Sequence, residues 1–453
     1  MLAEGHGAAP GLIPFLADLG AKPIWVASVI LAATYAVIVS EKINRVVISL
    51  LGAGMMVGLG ILTQDAAIRG VDFNTLALLV GMMVIVGIAK DSGMFQYIAI
   101  RTAQLVKGDP RMLMMALSLV TAVLSALLDN VTTVMLVVPV SILLCERLKL
   151  PVYPFLFSQI FASNTGGAAT LIGDPPNIMI GSAVGLSFVQ FVENVALPSA
   201  ICFIVTTLFF DLIWGRKLEA SQEDRDGVMK FNAREMITDT VLLRKSLFCI
   251  GLALFGFVVG HGHGYEPGSV ALFCAAFLMF LDGLGHTPEK QGEKVHHAFT
   301  LVEWNTIFFF IGLFIVVYGV EETGLLSLMA EKLLALTAGD VKAMGLVIMW
   351  SSAILSAIVD NIPFVATMIP MIKAMGPAMG GDEALLPLWW CLSLGACLGG
   401  NGSIVGASAN LIVAGFAERA GHRISFLGFM KLAFPLMIVT VMIASVWAWF
   451  FLL

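Results

Sequence analysis

SALLDNVTTVMLVVP (residues 125–139) and SAIVDNIPFVATMIP (356–370) are one pattern written twice, 231 residues apart. The same offset lays VDFNT (71–75) on VEWNT (302–306), and Gly81 and Gly93 on Gly312 and Gly324. An offset of 233 lays GGAATLIGDPPN (166–177) on GGNGSIVGASAN (399–410). Order and spacing kept over roughly a hundred residues mark an internal duplication.

The background is strongly apolar. Of 453 residues, 59% are hydrophobic and 12% charged, with mean hydropathy +0.95. Soluble domains carry about 25% charged residues. Apolar segments recur at 24–40, 46–62, 74–89, 194–213, 246–260, 268–284, 304–320 and 430–452. About 20 such residues cross a bilayer core. The fold class is therefore an all-α polytopic membrane protein. MLAEGHGAAPGLIPFLADLG, at the start, lacks a basic stretch and does not read as a signal peptide. The six cysteines form no CxxC pair and read as ordinary apolar residues.

Lys and Arg concentrate in cytoplasmic loops. With the first residue outside, the inside segments are 41–45, 90–111, 145–152, 214–245, 285–303 and 418–431, which hold 20 of the 25 Lys and Arg residues. Each half then crosses five times, so the second enters from the opposite side. That is an inverted repeat, common among secondary transporters. The first repeat is 1–213, with a re-entrant hairpin at 112–144 and a broken helix at 153–190. The second is 246–453, with a hairpin at 343–376 and a broken helix at 385–417. The polar stretch 214–245 reads as a solvated cytoplasmic linker. HGHGYEP (261–267) and HTPEKQGEKVHH (286–297) read as surface loops rather than a metal site.

Two pairs of motifs carry the chemistry. In SNTGGAATLIGDPPN (163–177), Gly166 and Gly167 free the backbone, and Pro175 and Pro176 lack donors. Unpaired backbone is tolerated at membrane depth only inside protein or against a polar cavity. Gly166, Gly167, Thr170, Asp174 and Asn177 are thus candidate ion- or substrate-binding positions, mirrored by Gly399, Gly400, Asn401, Ser403 and Asn410. The second pair is LLDNVTT and IVDNIPF, which place Asp129 and Asp360 at matched depth. An acid there costs several kcal/mol unless paired or protonated. The carboxylates either cap the following half-helix or bind a cation or proton. Asp174 is a weaker third candidate, since it could cap the helix after Pro176. No His lies in an expected span, so a proton path would run through carboxylates and water.

These motifs resemble the ion transporter superfamily, in its branch of arsenite permeases, NhaD-type sodium/proton antiporters and P protein. Citrate and dicarboxylate carriers are more distant relatives. The resemblance implies scaffold and transport domains, an elevator-type movement and a homodimer. Dicarboxylate carriers bear Ser-Asn-Thr at both hairpin tips. Here Ser163-Asn164-Thr165 falls in the broken helix, and the tips are Asp129-Asn130 and Asp360-Asn361. Two acidic tips would repel a di-anion unless protonated or cation-loaded.

The expected function is secondary active transport in a bacterial inner membrane, with both termini outside. No cofactor, resident metal, enzymatic activity or nucleic-acid partner is expected. The coupling ion is H⁺ or Na⁺. Proton-coupled efflux of arsenite or antimonite is the leading reading, ahead of sodium/proton antiport and of a cation-coupled organic-acid carrier. Neutral arsenous acid would need hydrogen-bonding groups, which Asn130, Thr132, Thr133 and Asn361 around the tips supply. Cys397 could add a soft ligand. No GxxxxGK[ST] loop occurs, so ATP-driven pumping would need a separate ATPase subunit. An intramembrane aspartyl protease would use two such aspartates, but GxGD is absent. A passive channel is the remaining alternative.

Overall fold

In a computed structural model, residues 12–18, 20–40 and 42–453 are described. The reading of the first eleven residues lies outside these. The described chain is all-helical, and ten helices are long and apolar enough to cross a membrane.

The first repeat runs α1 (Pro23–Ser40), α2 (Arg45–Gly58), α3 (Phe73–Asp91), α4 (Met94–Leu105), α5 (Pro110–Leu127), α6 (Asn130–Arg147), α7 (Val152–Gly167), α8 (Pro175–Val184) and α9 (Leu197–Ile213). The second answers it helix for helix. It runs α10 (Thr240–Val259), α11 (Pro267–Gly283), α12 (Trp304–Glu322), α13 (Leu325–Thr337), α14 (Val341–Ile358), α15 (Asn361–Lys373), α16 (Asp382–Gly399), α17 (Ser408–Arg419) and α18 (Phe426–Trp447). The expected hairpins are α5–α6 and α14–α15, and the broken helices are α7–α8 and α16–α17.

Two compact units share the chain, and neither is a repeat. The smaller contains residues 1–73, 304–339 and 366–385; the larger contains 74–303, 340–365 and 386–453. Each mixes helices of both repeats. In the smaller, α2 packs on α12, with Gly312 against the Ser49 backbone. In the larger, Gly81 on α3 lies against Ala271 on α11. The third helix of each repeat is thus packed on the second helix of the other. At both contacts a glycine lets two backbones approach.

Two polar stretches differ from their sequence reading. The 214–245 segment is folded, not a solvated tether. Ser221 caps the short helix Gln222–Met229 by accepting from Asp224 N. Val228 and Ala233 are buried. Gln104 Nε2 donates to Phe231 O at 2.6 Å, and Thr238 Oγ1 to Asp91 O at 2.6 Å. Arg225 pairs with Asp109 and Lys149 with Asp224. The HTPEKQGEKVHH stretch is largely helix (Pro288–Thr300), not loop. Thr287 caps it and Pro288 sits in its first turn, where a missing N–H costs nothing.

Candidate functional site

Both broken helices are held open by the same hydrogen bonds. Ser125 Oγ donates to Ser163 O at 2.6 Å, and its counterpart Ser356 Oγ to Ala396 O at 2.8 Å. Thr170 Oγ1 and Ser403 Oγ donate to Ala126 O and Ala357 O, both at 2.6 Å. Asn177 Nδ2 donates to Thr170 O, and Asn410 Nδ2 to Ser403 O, each at 2.9 Å. Gly166 lies against the Ala122 backbone and Gly399 against that of Ala353. Asn177 and Asn410 satisfy carbonyls inside the breaks, and the Ser and Thr hydroxyls tie each break and its preceding helix to the hairpin, as buried backbone requires. The two breaks thus share one hydrogen-bonding geometry, residue for matched residue.

The hairpin tips carry the acids. Asp129 accepts from Thr132 N at 2.8 Å, an N-cap on α6. Asn130 N donates to Gly173 O at 3.0 Å, docking this tip on the first break. Asp360 accepts from Ile362 N at 3.2 Å and from Ser408 Oγ at 2.7 Å. Both tip carboxylates thus hold their half-helices, the structural role weighed above. Asp174 does not. It stands at the N-cap position of α8 yet makes no side-chain capping bond. Its carboxylate instead receives Asn361 Nδ2, from the other repeat, at 3.3 and 3.4 Å. The acid ranked third from sequence is the one whose charge is not committed to a helix end.

Cross-repeat bonds gather most of the remaining candidates. Asn164 Nδ2 donates to Asn410 Oδ1 at 2.9 Å and Asn401 Oδ1 at 3.1 Å, while Asn130 Nδ2 reaches Asn164 Oδ1 at 3.4 Å. Ser393 Oγ donates to Asn177 Oδ1 at 2.6 Å, and Cys397 Sγ approaches the same atom at 3.5 Å. The 233-residue offset pairs Asn164 with Cys397 and Asp174 with Ala407. The two poles therefore differ chemically: one is amide-rich, the other bears a carboxylate and a thiol. Asn164, Ser393 and Ser408 were not among the sequence candidates; a lone amide one turn before a helix break was the available signal. Thr132 contributes its backbone N–H to the Asp129 cap.

Three buried side-chain atoms here have no protein partner: Asn130 Oδ1, Thr133 Oγ1 and Asn401 Nδ2. An unsatisfied buried polar atom costs about 1–3 kcal/mol, so an amide acceptor, an amide donor and a hydroxyl that can do either suit a polar guest. Among the described residues no Lys, Arg or His side chain is buried, whereas Asp129, Asp174 and Asp360 are. Free anions would find carboxylates and no cation.

The citrate transporter family model CitMHS matches residues 35–395. The chain belongs to that family. It is a secondary transporter and an integral membrane protein. An uncharacterised transporter of Mycobacterium tuberculosis, Rv2684, is 38% identical over 428 residues, covering 94% of this chain and 97% of the relative. Human P protein is 32% identical over 508 residues, covering 92% of this chain and 58% of that longer protein. Among solved structures, the Alcanivorax borkumensis YdaH transporter aligns with TM-score 0.58 at 15% identity, covering 94% of this chain and 97% of that one. Neisseria gonorrhoeae MtrF gives 0.57 at 10% identity, covering 97% of both. At such identities these two likenesses show the fold alone.

Proposed function

We propose that the chain is an ion-coupled carrier for a small polar solute that reaches the site uncharged or paired with a cation. The observation that carries this reading is Asp174, buried, uncapped and gripped by Asn361. A carboxylate can hold a proton or face a cation, but not both at once. Exchange of one for the other at Asp174 couples solute movement to H⁺ or Na⁺. The amide cluster around Asn164, with its three open polar atoms, supplies hydrogen bonds without net charge.

Arsenous acid is the first solute to test, since it is neutral near pH 7 and rich in hydroxyls. The family match favours a second reading, a citrate-like acid carried with a bound cation that cancels its charge. Sodium/proton antiport by the acids alone is the third. In each case the two repeats are taken to be inverted, the hairpins to enter from opposite faces, and a homodimer to work by an elevator movement in a bacterial cytoplasmic membrane, with both termini outside. An ATPase subunit would add to such a carrier without being required. The test is purified protein in liposomes, comparing arsenite, sodium, and citrate with and without divalent cation under an imposed pH or sodium gradient. Uphill flux of one solute supports coupled transport; downhill-only flux of all three supports a channel.

A further inference from the structure

The ends of α5 and α9 frame a cleft of about 670 Å³, lined by Asp109, Arg111, Met112, Gly215, Arg216 and Leu218. Both of its arginines meet Asp211, which is almost fully buried and accepts from Arg111 Nε and Nη2, both at 2.6 Å. Arg216 Nε stands 3.7 Å from the other side of the same carboxylate. One buried acid thus holds two half-exposed guanidinium groups in fixed positions. Arg111 spends Nε and Nη2 on Asp211, and Arg216, at 3.7 Å, is less engaged. Counting Arg225 on Asp109, three guanidinium groups face two carboxylates, and the sequence neighbours Lys217 and Glu219 offset each other. The cleft is net positive.

Above it runs apolar surface. Met112, Leu119 and Val123 on α5 are about half exposed, as are Ile204, Leu208 and Leu212 on α9. Each set keeps a spacing of seven and four, or four and four, residues, hence one helix face. Both faces run toward the arginine cleft: Met112 lines it, and Leu212 follows Asp211 directly in sequence. A ligand with an anionic head and long apolar tails matches both features, whereas a soluble anion matches only the first. We propose that this cleft is a binding site for the phosphate headgroup of an anionic phospholipid, whose acyl chains lie along the exposed faces of α5 and α9. Basic pockets between helix ends are a recurrent way of selecting acidic lipids.

The experiment is native mass spectrometry of the full-length protein exchanged into equal phosphatidylglycerol and phosphatidylcholine, with melting temperature followed in parallel. Wild type should retain phosphatidylglycerol by about fivefold or more over phosphatidylcholine, given the usual contribution of each basic residue near an anionic surface. Arg216→Gln leaves the Arg111–Asp211 pair intact and should bring the two lipids to near-equal retention. Arg111→Gln combined with Asp211→Asn removes the pair without leaving a buried charge, and should do the same. Millimolar inorganic phosphate should not reproduce the melting shift. Equal retention by wild type, full preference in Arg216→Gln, or a complete shift with phosphate alone would each overturn the proposal.

Discussion

Asn361 reaches across 187 residues to place Nδ2 at 3.3 and 3.4 Å from the two carboxylate oxygens of Asp174. One residue is the tip of the second hairpin, and the other ends the first helix break. The contact has no twin, because the matched partner of Asp174 is Ala407. A duplicated scaffold has thus become asymmetric where ionisable chemistry sits. Two equivalent poles would bind alike; two different ones can divide solute and coupling ion between them.

The matched glycines should fail alike. A Cβ on Gly166 would stand 2.7 Å from Ala122 Cα, and one on Gly399 would stand 2.5 Å from Ala353 Cα. Backbone cannot move aside as a flexible side chain would. Gly166→Ala and Gly399→Ala should each destabilise by about 1–3 kcal/mol, read as lower melting temperatures in detergent. Gly251→Ala meets nothing within 4 Å and should be neutral or stabilising by up to about 1 kcal/mol.

Replacing Asn164 should cost far more than replacing its counterpart. Asn164→Ala strips donors from Asn401 and Asn410 and an acceptor from Asn130. Each buried polar atom left open costs about 1–3 kcal/mol, so a total of about 2–5 kcal/mol is expected. Cys397 Sγ approaches Asn177 Oδ1 at 3.5 Å and lies against the Asp174 carboxylate, contacts that a serine hydroxyl can also make, so Cys397→Ser should remain close to wild type. Equal losses in thermal unfolding would contradict the asymmetry.

The folded linker gives a pH prediction. The Lys149 ammonium, with help from the Ser221 hydroxyl, holds the Asp224 carboxyl below the ordinary range. A depressed carboxylate contributes stability above its unfolded pKa and loses it as pH falls through the folded value. Protection from hydrogen exchange at 222–229, taken relative to the intrinsic rate at each pH, should therefore be constant near neutrality and fall only below the usual carboxylate range. Asp224→Asn should raise exchange at pH 7 without undocking the segment, because buried Val228 and Ala233 remain. Full exchange in that variant would show that the ion pair, not the apolar contact, holds the linker.

The hairpins and helix breaks were legible because their signals are local and occur twice. Asp-Asn inside an apolar run, and paired glycines ahead of Asp-Pro-Pro, each force a turn whatever packs around them. Asn164 falls in the broken helix and not at a tip, and its partners Asn401 and Asn410, 237 and 246 residues away, leave no local signal. Asp174 looked like a cap because its position is a cap position; only the direction of its side chain shows otherwise. The linker looked solvated because QEDRDG dominates its composition, while a few residues, Val228 and Ala233 among them, fix it in place. Helix Pro288–Thr300 was missed through giving His and Gly more weight than the Thr-Pro start signal.

Gradient-driven flux through Asp174→Asn, measured beside Asp129→Asn in liposomes, tests the coupling role most directly. Asparagine still caps a helix, so Asp129→Asn should keep its fold and its gradient dependence. Asp174→Asn retains size and a hydrogen bond from Asn361 but cannot exchange a proton for a cation. It should fold, bind solute and equilibrate it downhill, with no accumulation when a pH or sodium gradient is imposed. Wild-type accumulation by Asp174→Asn would contradict the account and return the coupling role to Asp129 or Asp360.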